Sequence, residues 1–160
     1  MIEELIGLLS CNDLNPAEVA AIAELVKKAP EDPELHWIED PAQAMTHAIL
    51  NNMTDYIAES DKIDELHEQL EEMFTDPLPA FPYDDEAVQE SSFAYFKWLD
   101  EILAQRGSDI GGYELLSIDD GVDDYIRVAV VNRKDTARIL ELALLLEFRI
   151  SRENGTSSWQ

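Results

Sequence analysis

Along residues 16–28 the apolar side chains Val19, Ile22, Ala23 and Val26 recur at three- and four-residue spacings, with polar positions filling the other side. That period predicts an amphipathic helix. Asn15-Pro16-Ala17-Glu18 marks its start with a capping side chain, a proline at the first helical position and a glutamate at the third. Lys27 and Lys28 suit the negative end of its dipole, and Pro30 ends it. Asp40-Pro41-Ala42-Gln43 follows the same grammar and predicts a helix over 41–57, with Met45, Ala48, Ile49, Met53, Tyr56 and Ile57 inward. A short helix over 2–9 precedes both. A fourth, over 61–74, buries Ile63, Leu66, Leu70, Met73 and Phe74. A fifth runs from Asp84 to Arg106, stops at Gly107 and carries the stripe Val88, Tyr95, Phe96, Leu99, Ile102 and Leu103.

After Gly112 the period changes. Residues 113–118 (YELLSI) and 125–131 (YIRVAVV) are rich in β-branched and aromatic side chains and predict two strands. Asp135 is placed to cap a helix over TARILELALLLE, and FRIS at 148–151 predicts a short third strand. Residues 153–160 have the composition of a flexible tail. Between the fourth and fifth helices, three prolines at 77–82 require an extended connection. Pro79 and Pro82 match the spacing of a docking motif, but no basic residue flanks them, and a packed connection is the expectation. The sum is α+β: a helical N-terminal region of about five helices, then a β-hairpin, a helix and a short third strand, in a single domain over 1–152.

Composition adds a core, and charge adds the one extreme. Of 160 residues, 46% are hydrophobic, enough to exclude general disorder. No apolar run reaches the ~20 residues of a membrane span. Glu3 and Glu4 stand where a secretory signal carries bases, and Cys11 is the only cysteine, so a cytoplasmic location is expected. Trp37 and Trp98 are expected to be packing residues, with Trp159 in the tail. The chain holds 35 acidic and 11 basic residues, a net charge of −24. Residues 1–75 hold 18 of the acids and 3 of the bases. This excess repels nucleic acid and anionic membranes and favours a basic protein as partner.

That charge acquires geometry on the fourth helix. At 100° per residue, Asp61, Asp64, Glu65, Glu68, Glu71 and Glu72 fall within an arc of about 120°, opposite the apolar stripe and over roughly 16 Å. Like charges three and four residues apart oppose the helix, and Glu71 and Glu72 also face the negative end of its dipole. This ridge is the candidate partner-binding surface, with a solvated face as the plain alternative. The second candidate is the loop Asp119-Asp120-Gly121-Val122-Asp123-Asp124. Asp-Gly signals a hairpin turn. The four aspartates are also candidate metal ligands, although the register of an EF-hand fails: counting from Asp119, glycine falls third and Val130 twelfth. No phosphate-binding loop or nucleophile elbow occurs, and no cofactor is expected. His67 and Glu71, one turn apart, lack a third ligand, so His67 reads as a surface histidine.

Gly112-Tyr113-x-Leu115-x-x-Ile118-Asp119, followed by Asp123-Asp124-Tyr125 and an apolar strand, resembles the C-terminal part of a bacterial domain-of-unknown-function family. Small acidic α+β proteins of that build also resemble immunity proteins that neutralise partner toxins. The likeness covers residues 112–150 and implies no catalytic residues. The expected function is therefore a non-catalytic interaction protein, an inhibitor or immunity-like partner of a basic protein. The alternative is a small enzyme or metal-dependent module built on the 119–124 carboxylates.

Overall fold

The computed structural model describes residues 1–82 and 91–155. Its helices are α1 (Ile2–Leu9), α2 (Pro16–Lys28), α3 (Pro41–Asn52), α4 (Ile63–Glu72), α5 (Ser92–Gln105) and α6 (Thr136–Leu146). Its strands are β1 (Ile57–Ser60), β2 (Tyr113–Asp119), β3 (Ile126–Asn132) and β4 (Arg149–Arg152). The fold is α+β. The predicted start of the fifth helix at Asp84, together with Val88, falls outside the described residues.

The strands form one antiparallel sheet in the order β1-β3-β2-β4. The hairpin β2–β3 is its centre, with Leu116 opposite Ala129 and Ser117 opposite Val128. The third strand pairs with β2 through Ile118 and Ile150. Beyond it, the Glu153 N–H donates to the Leu115 carbonyl, so the first residues of the expected tail continue the sheet.

β1 corrects the expected helix over 41–57. α3 ends at Asn52, a short 3-10 turn covers Thr54–Tyr56, and Ile57–Ser60 pairs with Ile126–Ala129. Gln69 closes the outer edge of β1. Its amide donates to the Glu59 carbonyl at 2.7 Å and accepts from the Glu59 N–H at 2.8 Å, taking the place of a further strand.

Alternation along the strands sends side chains to two cores. Leu116, Ile118, Ala129, Val131 and Ile57 pack with α1, α2, α3 and α6. Leu115, Val128 and Ala58 pack on the opposite face with α4, α5, Leu78 and Phe81. Helices thus cover both faces of the sheet. Trp98 packs against the second core as expected, whereas Trp37 is 53% exposed.

The two matching helix starts separate in space. At α2 the full capping box forms: Asn15 Oδ1 accepts from the Glu18 N–H at 2.8 Å, and Glu18 Oε1 accepts from the Asn15 N–H at 3.1 Å. At α3 the Asp40 side chain makes no capping bond. Gln43, the residue that would return to it, lies instead against Gly121 of the hairpin loop. Asp135 does not cap α6 through its side chain either, because a 3-10 turn at Arg133–Asp135 leads into that helix.

Candidate functional site

The acidic ridge lies on α4, and the structure divides its six carboxylates. Asp61 precedes the helix, which begins at Ile63. Glu65 turns to its own N-terminus, where Oε2 accepts from the Ser60 hydroxyl at 3.0 Å and Oε1 lies 3.8 Å from Lys62 Nζ. Glu71 turns inward to His67, with Oε1 3.1 Å from Nε2. Asp64, Glu68 and Glu72 make no ion pair among the described residues, and Glu68 and Glu72 are exposed.

His67 is a correction: it is fully buried, not a surface residue. Its Nδ1 lies 2.8 Å from the Tyr95 hydroxyl, and its Nε2 lies 2.8 Å from the Pro79 carbonyl as well as near Glu71. Burial, then the charge of Glu71, pushes the Tyr95 hydroxyl far above its ordinary range, so it stays protonated and donates to Nδ1. Nε2–H is then the donor to Pro79, and both ring nitrogens are satisfied. His67 ties α4 to α5 and to the proline-rich connection. The helical period already placed it with the core, since it stands four residues after Ile63 and three before Leu70.

The 119–124 loop is a hairpin connection in which the chain itself holds three of the four carboxylates, Asp119, Asp120 and Asp123. Asp119 accepts from the Gly121 N–H at 2.7 Å and lies 3.6 Å from Arg149. The buried Asp120 accepts from the Val122 N–H at 3.0 Å, meets His47 Nδ1 at 3.0 Å and lies 3.6 Å from Arg127. Asp123 receives both arms of Arg127 and accepts from the Tyr125 N–H. Asp124 is exposed, with no side-chain hydrogen bond or ion pair among the described residues. Arg127 also reaches Glu59, which faces it directly across β1 and β3, at 2.9 Å. Its hydrogen bonds hold the Asp123 carboxyl below the ordinary aspartate range. The loop thereby becomes a latch between β1, α3 and the hairpin. Among the described residues, no three His, Cys, Asp or Glu side chains converge on a point that would hold a metal ion.

His47, Glu59 and Arg127 are the partners that the sequence did not reveal. Arg127 carried the one available signal, a base within a strand whose neighbours are apolar.

The chain's few cations are spent in the same way. Lys27, Lys28, Lys62, Arg127, Arg133, Arg138, Arg149 and Arg152 all pair with its own carboxylates. Arg106 binds the Asp76 and Pro77 carbonyls and lies over the Phe74 ring. Among the described residues Arg106, Lys97 and Lys134 make no ion pair, and of these Arg106 is held by the two carbonyls. Among those residues, too, no helix is long and apolar enough to cross a membrane.

No protein-family model matches the chain, and neither a curated protein nor a solved structure matches it.

Proposed function

We propose that the chain is a non-catalytic interaction protein that binds a basic protein through the outer face of α4, as an inhibitor or immunity-like partner. One observation carries this reading. The chain's own bases are nearly all engaged elsewhere, while Asp64, Glu68 and Glu72 line a helix face whose nearest base, Lys62, is directed to Glu65. Such a face raises the association rate of a cationic partner and selects against anionic ones.

The test compares the wild-type chain with the Asp64→Lys/Glu68→Lys/Glu72→Lys variant in capture from nuclease-treated cell extract, eluted with a salt gradient. A stoichiometric basic protein held by the wild-type chain and lost or eluted at much lower salt from the variant supports the reading. Equal capture by both, with the same salt dependence, overturns it. Glu65 and Glu71 are left in place because they hold Ser60 and His67.

A further inference from the structure

β1 begins at Ile57, opposite Ala129, so the last residues of β3, paired with β2 on one side, have no strand on their other side among the described residues. The turn after α1 covers this open edge. Cys11, at φ 54°, donates its S–H to the Val130 carbonyl at 3.4 Å, and the Asn132 backbone bonds to its sulfur. Burial pushes the thiol up, so it remains protonated as a cap on the strand edge.

Beside this cap opens a cavity of about 320 Å³. Tyr56, Phe74 and Tyr113 give it aromatic walls, Met73 adds apolar surface, and Asp13 and Asp55 supply carboxylates. Among the described residues, no lysine or arginine lines it. Both aspartates are exposed and neither has an ion pair among the described residues, which places negative charge at the mouth of an apolar, aromatic interior. The Tyr56 hydroxyl donates to Asp13 Oδ2 at 2.5 Å, and that bond is the first cause holding the phenol up at about 12. The tyrosine therefore stays neutral and fixes the orientation of the carboxylate.

From this lining we infer that the cavity receives an arginine side chain of the basic partner. A guanidinium is flat, weakly hydrated and stacks on aromatic faces, and its forked N–H donors suit carboxylates at the rim. A lysine ammonium is a strongly hydrated point charge and gains less from aromatic walls. Within this molecule a guanidinium already lies over the Phe74 ring, where Arg106 stands 5.2 Å from its centroid. Met73 and Phe74 follow Glu72 at the C-terminal end of α4 and pack toward the second core, so the cavity opens beside the end of that helix rather than on its outer face. The inference rests on the proposed basic partner and gives that interface an anchor, the buried Arg contact that commonly dominates binding energy.

The experiment titrates the purified full chain with N-acetyl-arginine amide and follows backbone amide shifts by NMR. N-acetyl-citrulline amide, the same shape without the charge, and N-acetyl-lysine amide serve as comparisons. Saturable shifts at Cys11, Asp55, Tyr56 and Tyr113 are expected with arginine. Citrulline should bind at least tenfold more weakly and lysine at least threefold. The exposed substitution Asp55→Lys should weaken arginine binding at least tenfold, while Glu68→Lys/Glu72→Lys should leave it unchanged.

Equal binding of arginine and citrulline overturns the inference, as does equal binding of arginine and lysine. Shifts that spread along α4 and vanish on its charge reversal overturn it too. If the arginine probe fails while a basic protein is still captured through α4, the cavity is excluded and the broader reading survives. If the probe binds as expected but α4 captures nothing, the cavity stands and the α4 reading falls.

Discussion

Arg127 holds Asp123 through two parallel N–H···O bonds, each 2.7 Å long, at the base of the hairpin loop. Behind that pair, Asp120 is buried against the same guanidinium and against His47. The two aspartates differ in what their loss leaves behind. Asp120→Ala leaves His47 and the Val122 N–H without their partner, while Arg127 keeps Asp123 and Glu59, and is expected to cost about 2–3 kcal/mol, the range for leaving buried polar groups unsatisfied. Asp123→Ala removes a half-exposed partner while Glu59 and Asp120 remain, and should cost about 1 kcal/mol. Urea denaturation of the two variants checks the order. If Asp123→Ala is the more damaging, the latch is centred on the surface pair.

Glu153 gives the fold a pH dependence of its own. Burial at the end of β4 raises its carboxyl from the ordinary glutamate range to about 7, so the native state favours the protonated acid. This stabilisation is complete below about pH 4.5, where the unfolded chain is protonated too. It is lost as the pH rises through 7. Allowing for partial exposure, the loss is about 1–2 kcal/mol. Unfolding free energies measured between pH 4.5 and 7.5 should show this decline in the wild-type chain and a smaller one in Glu153→Gln. Parallel curves would mean that the carboxyl is solvated.

The two helix starts with the same spelling should respond unequally. Asn15→Ala removes a formed capping box at α2 and is expected to cost about 1 kcal/mol. Asp40→Ala removes a side chain with no capping bond at α3 and should cost less than about 0.5 kcal/mol. Thermal melts of the pair decide this, and an equal loss would place a cap at both helices.

Gly112 admits no side chain. Its φ is +88°, and an added Cβ would lie 2.4 Å from the Ala104 carbonyl oxygen. Gly112→Ala is expected to destabilise by more than about 2 kcal/mol, since left-handed strain of about 1–2 kcal/mol is joined by a backbone clash. Gly111→Ala meets no atom within 4 Å at a similar φ and isolates the strain alone. Comparing the denaturant midpoints of the two separates clash from conformation.

Local signals carried most of the fold. α1, α2, the hairpin, α6 and the last strand lie within a residue or two of where period and caps put them. β1 was hidden because Met53, Tyr56 and Ile57 continue the helical spacing of Ala48 and Ile49. Only pairing with Ile126–Ala129, far along the chain, makes that segment extended. Tertiary context overrode propensity there.

The ridge arc was legible for the same reason as the helix, since angle follows from period. Which carboxylates stay outward depended on Ser60 and on the placement of His67. The cavity was not legible, because Asp13, Tyr56, Phe74 and Tyr113 meet only once the sheet and both helical layers are assembled.

The place of β1 at the edge of β3 also orders events in time. The first half of the chain supplies α1 to α4 and β1, yet among the described residues β1 pairs only with residues 126–129. As the protein emerges N-terminus first, β1 has nothing to pair with, and the apolar faces of α1, α2 and α3 have no sheet to cover. The helices of this half can pack on one another early, but the pairing of β1 and the contacts with the sheet must wait until the hairpin has been synthesised. Such long-range pairing slows folding and keeps apolar surface open during translation. The strong negative charge of residues 1–75 acts during that interval as well, keeping nascent chains apart until their last third arrives.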